Sequence, residues 1–191
     1  MPCERLQPGC VSNNVLIGHN GQLFLFEGNY NQFAYLTGAA IVLPESQKNF
    51  LSNLRQRRGW AERLSIPYLH VVVPCKPLVL RDQLPQPYKR NIRSLFLNAY
   101  APLLRQRDPI QEQVLYPLDA LIAAECRGSS YWADDTHINA AGQLALYQAI
   151  GQHLPDLSSN FPQFRLSQQP RLGDLGAMLG RDTPTTGLCF P

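Results

Sequence analysis

The chain has 191 residues, of which 45% are hydrophobic and 16% charged, with a formal net charge of +3. That length suits one domain with a sizeable core. The mild charge excludes the dense basic footprint of a nucleic-acid binder, and the low charge content excludes a disordered acidic or basic tail.

The five cysteines, Cys3, Cys10, Cys75, Cys126 and Cys189, are scattered and odd in number, with no C-x-x-C pair. This spacing supports neither a zinc site nor a disulfide framework, and leaves room for one bridge. The N-terminal residues lack the apolar core of a signal peptide, and no run approaches the length of a membrane-spanning helix. Taken as complete, the chain would be cytoplasmic.

Residues 15–26 read as a small hairpin, two short apolar runs around the Asn20-Gly21 turn. A polar loop from Glu27 to Asn31 follows, and Thr37-Gly38 is a further break. Pro44 and Glu45 open a helix over 44–64, with Phe50, Leu54, Ala61 and Leu64 on one face. The run Arg55-Gln56-Arg57-Arg58 falls inside it and reads as a solvated face. Pro67 ends any helix before residues 68–73, a β-branched run closed by Pro74 that predicts a buried parallel strand.

Residues 86–107 carry Ile92, Leu95, Phe96, Ala99 and Leu103 at spacings for a buried helical face. A short strand is expected at 114–116 and a helix at 118–126, broken by Gly128-Ser129-Ser130. Asn139 is a good N-cap for a helix through His153, with Leu144, Tyr147, Ile150 and Leu154 on one face and Pro155 as its stop. Residues 157–191 are rich in Pro, Ser, Gln and Gly and predict a loop-rich tail without regular elements. Alternating helices and short strands imply a single α/β domain over 1–191, with a mainly parallel sheet.

The segment of greatest chemical interest is Tyr131-Trp132-Ala133-Asp134-Asp135-Thr136-His137-Ile138-Asn139. Asp135 and His137 lie two apart, so in an extended segment their side chains leave the same face. A carboxylate beside a histidine fixes its tautomer and stabilises the imidazolium, as a general base needs when it activates a serine or a water. Asp134 offers an alternative Asp-x-x-His spacing.

Asp135-Thr136-His137 followed by Ile138-Asn139 resembles the Asp-Thr-His-Trp-Asn segment of the AlgX/AlgJ group, SGNH-hydrolase-like proteins that O-acetylate alginate and other exopolysaccharides. Gly21-Gln22-Leu23-Phe24-Leu25, Tyr35-Leu36-Thr37-Gly38, Ile66-Pro67-Tyr68 through Pro74-Cys75-Lys76, and Leu172-Gly173-Asp174-Leu175-Gly176 resemble other segments of that group in the same order. Ile138 replaces the usual tryptophan, and Cys75 stands where the group often has aspartate.

The resemblance implies a three-layer SGNH-like sandwich and a serine mechanism. His137 would be the general base, Asp135 its orienting carboxylate and Lys76 a substrate contact, with no metal or diffusible cofactor. It further implies a polysaccharide, an acetyl donor and a place at the cell envelope. The group's serine lies in a Gly-x-Ser segment downstream of Gly-Asp-Leu-Gly, whereas no Gly-Asp-Ser or Gly-Thr-Ser occurs in this sequence. The chain is therefore expected to match the N-terminal portion of such a domain. It would lack the nucleophile segment and leave an unpaired sheet edge that invites self-association.

Each candidate has a plainer reading. His137 could simply assist the helix start, and Asp134 or Asp135 could satisfy backbone N–H groups there. Lys76 could be a solvated loop residue. Cys75 could act as a nucleophile if its pKa were lowered, or be a small semi-buried residue. Ser129 and Ser130 match no nucleophile turn. Asn29 and Tyr30 suit a substrate or oxyanion contact or a plain loop, and Asp174 suits a turn cap. Phe161, Phe164 and Phe190 could touch sugar or anchor a loop. The alternative to an enzyme is a non-catalytic, glycan-binding or structural protein of the same fold.

Overall fold

A computed structural model describes residues 7–28, 31–105, 109–125, 129–154, 156 and 165–190. Strands β1 (Val11–Ser12), β2 (Val15–Ile17) and β3 (Leu23–Leu25) form an antiparallel meander, with Leu16 opposite Phe24. Asn20 and Gly21, at φ 52° and 75°, supply the left-handed turn between β2 and β3 that the Asn-Gly pair predicts. Side chains alternate across this small sheet. Leu16 and Phe24 enter the largest core cluster, with Phe33, Leu36, Leu80, Leu84, Ile92 and Leu121. Val15, Ile17 and Leu23 leave the other face and are covered by Leu175. Burying both faces explains why β2 is apolar throughout.

Helix α1 (Gln32–Thr37) ends on Gly38 in the left-handed conformation. Helix α2 (Pro44–Arg63) begins with proline in its first turn, as its sequence predicts. Its Leu54 joins Leu104 and Ile110 in a separate cluster. Strand β4 (His70–Val71) then pairs in parallel with β5 (Val114–Leu115). The parallel direction agrees with the sequence reading, but the strand has two residues and is only half-buried.

The other large departure lies between these strands. After a short α3 (Lys76–Val79), the mixed helical segment expected over 86–107 is divided into α4 (Tyr88–Asn91), a π-turn at Phe96–Tyr100 and α5 (Ala101–Leu104). Ile92 is extended (ψ 136°) and buried, so a residue placed on the helical face instead anchors a break in it.

Helix α6 (Leu118–Glu125) packs on α7 (Ala140–His153). The buried residues of α7 are Ala140, Gly142, Ala149 and Gly151, while Leu144, Tyr147, Ile150 and Leu154 are only half-buried. Small side chains let α7 approach its neighbours closely. A Cβ on Gly142 would lie 2.2 Å from the Ser130 carbonyl oxygen.

The tail also departs from expectation. Residues 165–190 form a hairpin of β6 (Ser167–Arg171) and β7 (Thr185–Cys189), with α8 (Asp174–Met178) between its strands. Among the described residues there is thus one parallel pair and two small antiparallel sheets, not one mainly parallel sheet. Cys10 is disulfide-bonded, whereas Cys75 and Cys189 are free thiols. No described helix is long and apolar enough to cross a membrane.

Candidate functional site

The site is a tight loop between α6 and α7, closed at its base by a bridge between Tyr131 and Ile138. Asn139 starts α7 by accepting from the N–H groups of Ala141 (2.9 Å) and Gly142 (3.1 Å). Ile138, in the place of the resembled group's tryptophan, packs on the main core. The base of the loop is therefore fixed to a helix and to the core.

Four consecutive carbonyls of the loop are each bound. The Lys76 ammonium donates to the carbonyls of Trp132 (2.6 Å), Ala133 (2.8 Å) and Asp135 (3.1 Å). The Leu23 N–H of β3 donates to the Ala133 carbonyl at 2.8 Å, and the N–H groups of Leu175 and Gly176 donate to that of Asp134 at 3.0 Å. Buried backbone groups need such partners, and meeting the need from three separate elements leaves the loop little freedom.

Lys76 is thus part of the frame. It is 3% exposed, and an ammonium has three donors, all of which are used. All three are directed at carbonyls of the one loop. Burial lowers its pKa to about 7, against the opposing pull of Asp134, Asp135, Asp174 and Glu125.

Asp134 and Asp135 are adjacent, both buried, and face different partners. Asp134 accepts from the Thr185 hydroxyl of β7 (2.6 Å) and the Gly173 N–H (3.2 Å), so it anchors the tail. Asp135 accepts from the His137 N–H (2.9 Å) and contacts the ring Nδ1 (2.6 Å), both through Oδ1. The pairing arises from a turn that folds His137 back over the carboxylate, rather than from the alternation of an extended strand.

Oδ2 of Asp135 faces Arg171 Nη2 at 3.1 Å and the Asp174 N–H at 3.3 Å. Burial would raise the Asp135 carboxyl, but the bonds from His137 and Asp174 and the Arg171 guanidinium outweigh it and hold it below the usual carboxylate range. The carboxylate is 1% exposed, while the His137 side chain is 70% exposed. With Nδ1 committed to a carboxylate, the assigned tautomer carries its proton there and leaves a lone pair on Nε2. Among the described residues no hydrogen bond reaches that nitrogen.

Asp174 does more than start a short helix. Its Oδ1 accepts from the Thr136 N–H (2.9 Å), its Oδ2 from the Thr136 hydroxyl (2.5 Å), and Oδ2 lies 3.8 Å from His137 Nδ1. Asp135, His137 and Asp174 place donor atoms within 4.8 Å of one another, a spacing a cation could also use. The chain's own donors already fill both carboxylates, so hydrogen bonding accounts for the cluster.

The remaining candidates lie apart from the pair or are engaged elsewhere. Burial raises the Cys75 thiol to about 11, the opposite of what a nucleophile needs. The Ser129 hydroxyl donates to the Tyr131 carbonyl at 2.7 Å, and Ser130 is bonded to Glu125. Asn29, Tyr30, Phe161 and Phe164 lie outside the described residues. Phe190 directly follows β7, at the end of the described tail.

No family model matches the chain, and no curated protein matches it. Among solved structures, it is similar to the O-acetyltransferase domain of Pseudomonas putida AlgJ, with a TM-score of 0.54 and 17% identity. The match covers 93% of this chain and 63% of that one. The chain thus spans less than two thirds of that chain's length, and the likeness is one of fold: an AlgJ-like mixed α/β architecture.

Proposed function

We propose that this chain carries the acid–base pair of a serine-type acyltransferase or esterase acting on O-acetyl groups. The observation that carries this reading is the 2.6 Å contact between Asp135 Oδ1 and His137 Nδ1, on an exposed imidazole whose Nε2 is open. The AlgJ-like fold around it supports the same reading.

In this mechanism Nε2 takes the proton of an attacking hydroxyl as the oxygen bonds to an acetyl carbonyl carbon. Collapse of the tetrahedral intermediate breaks the bond to the leaving oxygen, which takes the proton back from the imidazolium. Asp135 holds the ring and stabilises its charged form throughout. With no Gly-Asp-Ser or Gly-Thr-Ser in these residues, the reading assigns the serine to a segment or partner beyond them. A polysaccharide hydroxyl is the proposed acceptor, and the cell envelope the proposed location. The disulfide at Cys10 favours an oxidising compartment.

The test is hydrolysis of an activated acetyl ester such as 4-nitrophenyl acetate by this chain, with water in place of the serine hydroxyl as the attacking group that Nε2 deprotonates. His137→Ala is expected to lower the rate at least about 100-fold, the usual weight of a general base, and Asp135→Asn to lower it less. Equal background rates in wild type and His137→Ala would defeat the proposal for this chain. The reading would then become a non-catalytic, glycan-binding protein of the same fold.

A further inference from the structure

We propose that Arg171 is a positioning residue, delivered by the C-terminal hairpin, that fixes Asp135 with Oδ1 toward His137. This rests on the reading of Asp135 and His137 as an acid–base pair. A carboxylate held at one oxygen can still rotate. Asp135 is held at both, with His137 on Oδ1 and Arg171 and the Asp174 N–H on Oδ2.

The guanidinium is itself held. It lies over the Trp132 ring, 5.3 Å from the centroid. That ring is pressed against β7 so closely that a Cβ on Gly187 would lie 2.4 Å from it. Arg171 pairs across the hairpin with Thr185, whose hydroxyl donates to Asp134 at 2.6 Å. The hairpin therefore docks on Trp132 and Asp134 and presents its cation to Asp135, all within one short stretch of loop.

The chemical reason for a cation here follows from the base's working cycle. Before reaction the imidazole is neutral, and a buried carboxylate beside a neutral ring is drawn toward protonation. A protonated Asp135 would no longer specify which ring nitrogen carries the proton. A guanidinium keeps its charge at every working pH, so it holds Asp135 ionised while His137 is neutral. The other charged groups around Asp135 do not supply this. Asp134 and Asp174 are acidic, and the Lys76 ammonium is bound to carbonyls, including that of Asp135 itself.

The experiment is a carboxyl-carbon NMR titration of aspartate-labelled wild type, Arg171→Gln and Arg171→Lys, with backbone amide spectra as a check on the hairpin. Arg171→Gln is expected to raise the Asp135 pKa, as loss of a neighbouring positive charge does, and Arg171→Lys to restore most of the shift. The acid limb of ester hydrolysis should move to higher pH in Arg171→Gln and return in Arg171→Lys. Identical Asp135 titrations in all three proteins would overturn the proposal. If Arg171→Gln loses the hairpin, the lysine variant decides: a low Asp135 pKa supports the role, and a raised one with an intact hairpin overturns it. Absence of turnover in wild type would remove the catalytic reading alone, because the titration needs no turnover.

Discussion

An ammonium group that leaves water needs an acceptor for each of its N–H bonds, and Lys76 finds three carbonyls within one loop. Replacing it with methionine would leave the Trp132 and Asp135 carbonyls without this donor, while Ala133 keeps the Leu23 N–H. We expect Lys76→Met to cost about 2–6 kcal/mol of stability, from about 1–3 kcal/mol for each of the two orphaned buried groups. Urea unfolding measures this. The pH dependence carries its own sign. The folded pKa of about 7 lies below the ordinary 10.5, so between these values the unfolded chain binds the extra proton. The cost of the buried charge is complete below about pH 7 and is relieved as pH rises, so stability increases through that window. Wild type should therefore gain on Lys76→Met between pH 7 and pH 9. Parallel pH profiles for the two proteins would contradict the assignment.

Helix α7 is placed by its smallest residues. Alanine normally stabilises a helix interior by about 1 kcal/mol relative to glycine. At Gly142 the added Cβ would meet the Ser130 carbonyl at 2.2 Å, so Gly142→Ala should instead destabilise by about 1–3 kcal/mol, as overpacking does. A thermal shift upward in this variant would refute the close packing. The same helix shows what the sequence could and could not reveal. Its start was legible because Asn139 is a local signal, as were the Asn20-Gly21 turn and the proline opening of α2. Its buried face was not, because hydrophobic periodicity selects large residues and overlooks a contact made by Ala and Gly. The β6–β7 hairpin was invisible for a related reason. Every residue of β6 is exposed, so Ser167-Gln168-Gln169-Pro170-Arg171 carries no alternation. Asp135 and His137 could be singled out because they are neighbours in sequence. Arg171 and Asp174 could not be placed beside them, since only the folded tail brings them there.

Across the molecule, apolar surface is unevenly covered. Trp60 and Leu64 lie one turn apart near the end of α2, and Ile66 follows; all three are exposed. Among the described residues β4 and β5 have no strand neighbour but each other. Exposed apolar clusters and open sheet edges both favour association. We expect sedimentation velocity to show concentration-dependent self-association, reduced in Leu64→Glu. A single monomer boundary across the range, with sharp reversible unfolding, would refute this. The docking of the tail has a consequence for the order of assembly. Asp135 and His137 leave the ribosome well before Arg171, Gly173, Asp174 and Thr185, which brace their loop from the far end of the described chain. A nascent chain halted near residue 165 would hold Asp135 and His137 with Lys76 but without Arg171, Gly173, Asp174 and Thr185. The loop that holds Asp135 and His137 is therefore fully braced only once the tail has been made and has docked.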